Sequence, residues 1–243
     1  MYPYLRIGPF LLQLPGLAML VGIWMGLSLA EREAKNLRLN TSDIYNLGGY
    51  GLVAGLLGAR LVYAGRYWSA YLDDPLSLFA LNPNTLSPVG GLFIALIAAV
   101  LYGWQKKLPL RSTLDALAPG LALFMVFFAI AHFLNGDAFG TPADLPWAIY
   151  LWGEYRHPTQ VYEFLAALGV FAMLLRSPQG NPGTGINFLV FVALTAASRL
   201  FLETFRGDSL LLAAGIRTAQ VASLAILLGT LWFLRVWTIQ TTE

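Results

Sequence analysis

The chain has 243 residues, of which 57% are hydrophobic and 12% charged, with a formal net charge of +2 and no cysteine. A soluble globular domain carries about 25% charged residues, so this composition belongs to the membrane class, and the length suits one compact transmembrane domain over residues 1–243. The near-neutral balance excludes a nucleic-acid binder; the missing cysteines exclude disulfides, thiolate metal sites and a cysteine nucleophile, and two histidines are too few for a His-rich metal centre.

In chain order, apolar stretches at 10–30, 44–68, 89–105, 115–134, 159–176, 185–204 and 214–236 are each near the roughly 20 residues that a bilayer core requires. They predict an all-α polytopic membrane protein of about seven spans. The first stretch is longer than the roughly 7–15 residues of a signal-peptide core, and only Arg6 precedes it, so it reads as a span. Alternate breaks hold the lysines: Lys35 in the first, Lys106 and Lys107 with Arg111 in the next. Arg176 with the Pro/Gly-rich stretch 177–185 forms the third, and Arg235 lies at the C-terminal end. The positive-inside rule puts these breaks in the cytoplasm, with the N-terminus outside and the C-terminus inside. The breaks near 69–88, 135–158 and 205–213 then face outward, where Trp68, Trp147 and Trp152 suit an interfacial belt. Gly90 and Gly91, opening the third span, allow close helix approach or a close lipid contact.

Charged groups fall inside or at the edges of these spans: Arg60, Arg66, Asp115, Glu163, Arg199 and Glu203. A charge at membrane depth costs about 2.5–3.5 kcal/mol on insertion scales, so each is expected to face the interior and meet a partner or a ligand. Internal Arg–carboxylate pairing is one reading. The other is a lipid-phosphate pocket, since the outward half has arginine and no lysine, and the guanidinium fork matches phosphate oxygens. Arg199 and Glu203 are i,i+4 and Glu203 and Arg206 are i,i+3, so a helix puts all three on one face with the carboxylate between the cations. Arg156-His157-Pro158-Thr159-Gln160-Val161-Tyr162-Glu163 stands at the fifth span. Pro158 suits a first helical position, and the helix start offers N–H groups to an anion.

Here the residues resemble a known family. His157-Pro158-Thr159-Gln160-Val161-Tyr162-Glu163 resembles the HP-x-Q-hydrophobic-YE motif of the prolipoprotein diacylglyceryl transferases, and the segment Arg199 to Arg206 resembles that family's R-F-x-x-E-x-x-R. Leu57 to Tyr63 is similar to its G-A-R-x-x-Y stretch, Asp115 to Pro119 to its D-x-x-A-P helix start, and Phe133 to Asp137 to the second half of its G-R-x-G-N-F-x-N-G-E signature. The order and spacing agree from the second span to the seventh. The resemblance implies an inner-membrane enzyme of a bacterium that joins the diacylglyceryl group of phosphatidylglycerol, or a similar anionic phospholipid, to the lipobox cysteine of a preprolipoprotein. Glycerol phosphate leaves, and no metal or organic cofactor takes part. Arg206, Arg199, Glu203 and His132 are the expected catalytic group. Arg60, Asn135, Gly136, Asp137, His157, Gln160, Tyr162, Glu163, Gly90 and Gly91 are the expected substrate-binding residues.

The chain departs from the family pattern at three places. The signature's Arg falls on Ala129 and its first Asn on His132; the H-G-G segment reads Val89-Gly90-Gly91; and W-Y-G-L reads Leu14-Pro15-Gly16-Leu17. A second reading is therefore a non-catalytic or altered-substrate phospholipid-binding paralogue. His132, one helical turn beyond Ala129, is open to three roles: a phosphate donor when protonated, a base when neutral, or a core histidine bonded to a neighbouring helix. Arg66 is a candidate replacement for the missing guanidinium.

Overall fold

The computed structural model describes residues 3–8, 10–79, 85–176, 184–212 and 215–242. Most of the Pro/Gly-rich third break, residues 177–183, lies outside them. Seven helices among the described residues are long and apolar enough to cross a membrane, so this is a multi-pass α-helical membrane protein. The chain divides into two compact units, Leu39–Leu110 and the remainder, Met1–Arg38 with Arg111–Glu243.

The larger unit opens with an antiparallel hairpin, β1 (Tyr4–Ile7) and β2 (Phe10–Gln13), with Tyr4 opposite Gln13. The expected first span began at residue 10; the helix α1 instead covers Leu14–Asn36. Pro15 explains the late start, because its missing N–H and fixed φ suit a first helical turn and not the paired strand before it. At its far end α1 runs on through Glu31, Arg32 and Lys35, good helix formers that hydropathy alone discards. Helices α5 (Leu110–Asn135), α6 (Thr159–Arg176), α7 (Ile186–Leu202) and α8 (Thr218–Thr242) complete this unit. Between α5 and α6 the chain forms a small hairpin, β3 (Ile149–Leu151) with β4 (Glu154–Arg156).

Small residues set the helix approaches. A Cβ on Gly120 of α5 would lie 2.3 Å from the Gly26 carbonyl oxygen of α1, a contact that only glycine permits. Ala118 and Ala122 of α5, Val170 and Leu174 of α6, and Phe191 of α7 form one buried apolar cluster. Asp115 of α5, 4% exposed, accepts from the N–H groups of Gly185 (2.8 Å) and Phe188 (3.0 Å) at the start of α7. This intramembrane carboxylate therefore serves as a helix cap supplied by a neighbour.

The smaller unit holds α2 (Thr41–Arg66), the short α3 (Trp68–Asp73), a 3-10 turn at Pro75–Phe79, and α4 (Pro88–Gln105). Asn40 caps α2, its side chain accepting from Ser42 N–H at 3.0 Å, and Ser87 caps α4 with Pro88 in the first turn. The helices pack through glycine. A Cβ on Gly91 would come within 2.8 Å of the Gly55 carbonyl and the Ala59 side chain, and one on Gly90 within 2.6 Å of Val62.

The cap generates a test. Asp115→Ala strips the buried Gly185 N–H and the part-buried Phe188 N–H of their acceptor and is expected to destabilise the detergent-solubilised protein by about 1–3 kcal/mol, read as a lowered midpoint of thermal unfolding by circular dichroism. An unchanged midpoint contradicts the capping role.

Candidate functional site

Three helices of the larger unit deliver charged groups to one place. α5 brings His132 in its last turn, α6 brings Glu163 in its second turn, and α7 brings Arg199. The helix was expected to run to residue 204; it ends at Leu202, tightens into a 3-10 turn over Glu203–Phe205, and leaves Arg206 extended. The Arg206 N–H still bonds the Glu203 carbonyl at 3.2 Å, so the tighter turn keeps both side chains on the same side.

Glu163 is the hub. Its Oε1 accepts from Arg199 Nη1 at 2.9 Å and from Arg206 Nη1 at 2.7 Å, while Oε2 lies 3.2 Å from His132 Nδ1. Glu203, 1% exposed, places Oε2 3.0 Å from Arg199 Nη2 and 3.9 Å from Arg206 Nε. These are ion-pair contacts without hydrogen-bond alignment. Asp208 grips Arg206 with both oxygens, at 2.9 Å from Nε and 2.7 Å from Nη2, in the two-pronged geometry that arginine favours. Burial disfavours the Arg206 charge, but the bonds from Asp208 and Glu163 outweigh it and hold the pKa above its ordinary value.

A cavity of about 460 Å³ adjoins the cluster. His132, Glu163, Arg199 and Arg206 line it, and Met125, Phe128, Ala129, Val170, Phe191 and Leu202 supply apolar wall. Arg199 keeps 37% of its side chain exposed against 10% for Arg206, so Arg199 is the more accessible guanidinium. Each guanidinium has five N–H donors, and the contacts just named do not use them all.

The other expected residues sort differently. Gln160 and Thr159 are fully buried and fasten the loop after α5: Gln160 Nε2 donates to the Asp137 carbonyl at 2.8 Å and Thr159 Oγ1 to the Ala138 carbonyl. Gly136 sits at φ +82°, where a side chain is strained, and its carbonyl accepts from Trp152 Nε1 at 3.1 Å. The Asn135 amide donates to the Asp137 carboxylate, and both side chains are exposed. His157 pairs with the Tyr162 hydroxyl at 3.4 Å, Trp147 donates to that hydroxyl at 2.9 Å, and the His157 ring packs against Phe205. This group stands on the α6 side of the same loop and does not line the cavity.

Arg60 belongs to the smaller unit. It donates to the carbonyls of Ser77, Leu78 and Thr85 and to the Thr85 hydroxyl, and it lies 5.6 Å from the Tyr71 ring centre. Its guanidinium holds a loop together. Gly90 and Gly91 form the α2–α4 seam, and Arg66 is exposed at the end of α2. Sequence reasoning assigned no role to Phe128 or Thr159, and it counted Asp208 only among the carboxylates available to the outward arginines, without naming its partner. The Arg206–Asp208 pair is two residues apart and outside a helix, where no periodicity marks it; Phe128, whose ring centre is 4.2 Å from that of His132, had the i,i+4 spacing that could have pointed to it.

Residues 3–236 match the family described as prolipoprotein diacylglyceryl transferase. The phosphatidylglycerol–prolipoprotein diacylglyceryl transferase of Trichormus variabilis is 32% identical over 235 residues, covering 90% of this chain and 83% of that protein. The enzyme of the same name from Clostridioides difficile is 30% identical over 214 residues, covering 88% and 86%. That of Lactobacillus johnsonii is 29% identical over 246 residues, covering 95% and 88%. With the ordered motifs and seven apolar helices already in place, this match over nearly the whole length means that the chain belongs to the prolipoprotein diacylglyceryl transferase family.

Proposed function

We propose that this protein transfers the diacylglyceryl group of phosphatidylglycerol to the cysteine thiol of a prolipoprotein, as the names of its relatives state for them. The acceptor is the lipobox cysteine of a preprolipoprotein, and the location is a bacterial inner membrane with the N-terminus outside and the C-terminus in the cytoplasm. The observation that carries this reading is the pair Arg199 and Arg206, both bonded to one Glu163 oxygen at the edge of a cavity whose remaining wall is largely apolar. Such a cavity matches a lipid with an anionic head and a greasy body.

The chemistry is alkyl transfer to sulfur. The thiolate attacks the glyceryl carbon that carries the phosphate ester, the carbon–sulfur bond forms, and the carbon–oxygen bond breaks. Its electron pair leaves on glycerol phosphate. Charge therefore develops on the phosphate, and preorganised guanidinium N–H groups stabilise it most where water is excluded. Arg199 and Arg206 hold the phosphate, and Glu163, Glu203 and Asp208 position them. Arg60 is left out of this set because its donors face loop carbonyls. The loop over Asn135, Gly136 and Asp137, held by Gln160 and Thr159, borders the head-group end.

One observation favours the second reading, a lipid-binding relative without the chemistry: Ala129 and Val89 stand where the family signatures carry Arg and His. Purified protein in phosphatidylglycerol vesicles, mixed with a lipobox peptide, separates the two. A mass gain equal to one diacylglyceryl group on the peptide thiol is expected, and Arg206→Ala is expected to lower kcat/KM by on the order of 10²–10³-fold. Lipid bound without product in every condition turns the assignment to the second reading. Glu163→Gln leaves the buried Arg206 guanidinium and the half-exposed Arg199 short of their shared anion and is expected to destabilise the protein by about 3 kcal/mol, mostly through Arg206. Glu154→Gln, which breaks the pair with Arg156 at a half-exposed carboxylate, is expected to cost less than about 1 kcal/mol. Thermal unfolding in detergent measures both, and equal effects contradict the hub role of Glu163.

A further inference from the structure

We propose that His132 is the general base that takes the acceptor thiol's proton, in a dyad with Glu163; this rests on the transfer reading above. The reaction needs a base, since the thiol and not the thiolate dominates at neutral pH for an ordinary cysteine. The titratable side chains lining the cavity among the described residues are His132, Glu163, Arg199 and Arg206. Arginine does not deprotonate in proteins, so neither guanidinium is a base. Glu163 already accepts two guanidinium bonds on Oε1 and faces His132 with Oε2, so both of its oxygens are engaged. The other histidine, His157, is turned to Tyr162 and Phe205 and does not line the cavity. That leaves His132.

Geometry assigns its tautomer. An ionised carboxylate only accepts, so the 3.2 Å contact with Glu163 Oε2 puts the proton on His132 Nδ1 and leaves the Nε2 lone pair for a substrate proton. Four side chains are arranged around the imidazole. Phe128 of its own helix packs against the ring at 4.2 Å between centres, Glu163 faces it from α6, and Arg199 and Arg206 lie behind Glu163, bonded to the opposite carboxylate oxygen. His132 sits in the last turn of α5, and Glu163 stays within hydrogen-bond reach of the imidazolium that forms. Ala129, one turn earlier on the same helix, adds only a methyl group to the cavity wall.

The step balances. The thiol S–H bond breaks, its proton goes to Nε2, and the sulfur electron pair forms the bond to the glyceryl carbon. The carbon–oxygen pair leaves on glycerol phosphate, which then takes the proton from the imidazolium and returns His132 to its starting form.

The test uses two lipobox peptides, one with cysteine and one with selenocysteine, whose selenol is ionised at neutral pH without a base. His132→Ala is expected to lower kcat with the cysteine peptide by about 10²–10⁴-fold. The defect is expected to shrink at least tenfold with the selenocysteine peptide, with KM for phosphatidylglycerol little changed. His132→Gln, which keeps a hydrogen-bonding side chain towards Glu163, is expected to show the same pattern and covers the case in which the smaller variant fails to fold. Wild-type turnover of the cysteine peptide by either variant overturns the assignment. So does an equal loss with both peptides. Absence of product from the unsubstituted protein instead overturns the transfer reading itself, so the two failures are distinguishable.

Discussion

One carboxylate holds the larger unit's charged centre together. Glu163 reaches from α6 to a histidine on α5 and to arginines on and just beyond α7, so the contacts that satisfy buried charge also set the mutual position of three helices. Each such group costs about 2.5–3.5 kcal/mol to place at membrane depth on insertion scales. None is tolerable alone, and the chain meets the cost by collecting them. Pairing and ligand binding looked like competing readings of the intramembrane arginines; the pairing is present and does not close off the other, since carboxylates fix one edge of each guanidinium and the cavity lies against the cluster.

The first turns of α6 connect this centre to the loop above it. Thr159 and Gln160 hold the carbonyls of Ala138 and Asp137, and Glu163, three residues beyond Gln160, enters the ion cluster. Arg156 extends the framework by donating to the carbonyls of Leu151 and Gly140, and Gly140 in turn pairs its backbone with Arg206. The two motifs that looked separate in sequence, one around Glu163 and one ending at Arg206, thus meet directly through side chains and are linked a second time through the backbone of Gly140, which bonds Arg156 and pairs with Arg206. A displacement of the loop is a displacement of Arg206, which makes the buried, non-contacting Gln160 part of the site's geometry.

Hydropathy was enough to count the spans, and helical spacing was enough to put Arg199, Glu203 and Arg206 on one face, because both are local properties of a chain in lipid. Local signals failed at ends. The hairpin before α1 was absorbed into the first span because Phe10, Leu11 and Leu12 are as apolar as helix residues, and periodicity over so short a run does not separate strand from helix. The hub was not legible either. Spacing shows which residues of one helix share a face, but says nothing of which face of α6 meets α7, so Glu203 looked central where Glu163 makes the hydrogen bonds. Arg60 shows the same limit: an arginine within an apolar span suggests a ligand, and the loop carbonyls after α3 that its side chain reaches are partners invisible until the chain folds back.

Charge balance narrows how such a site recognises an anion. Counted as ionised, Arg199 and Arg206 face Glu163, Glu203 and Asp208, two positive charges against three negative, and Ala129 contributes none where the family signature has a guanidinium. On the proposed reading, recognition of the phosphate therefore rests on directed N–H donors on the exposed edge of Arg199 rather than on a net cationic field. Those donors are effective because carboxylates lock the other edge, so little order is lost when a ligand binds. In the proposed transfer, a proton carried by His132 beside Glu163 takes that count from minus one to zero while the departing phosphate gains its charge.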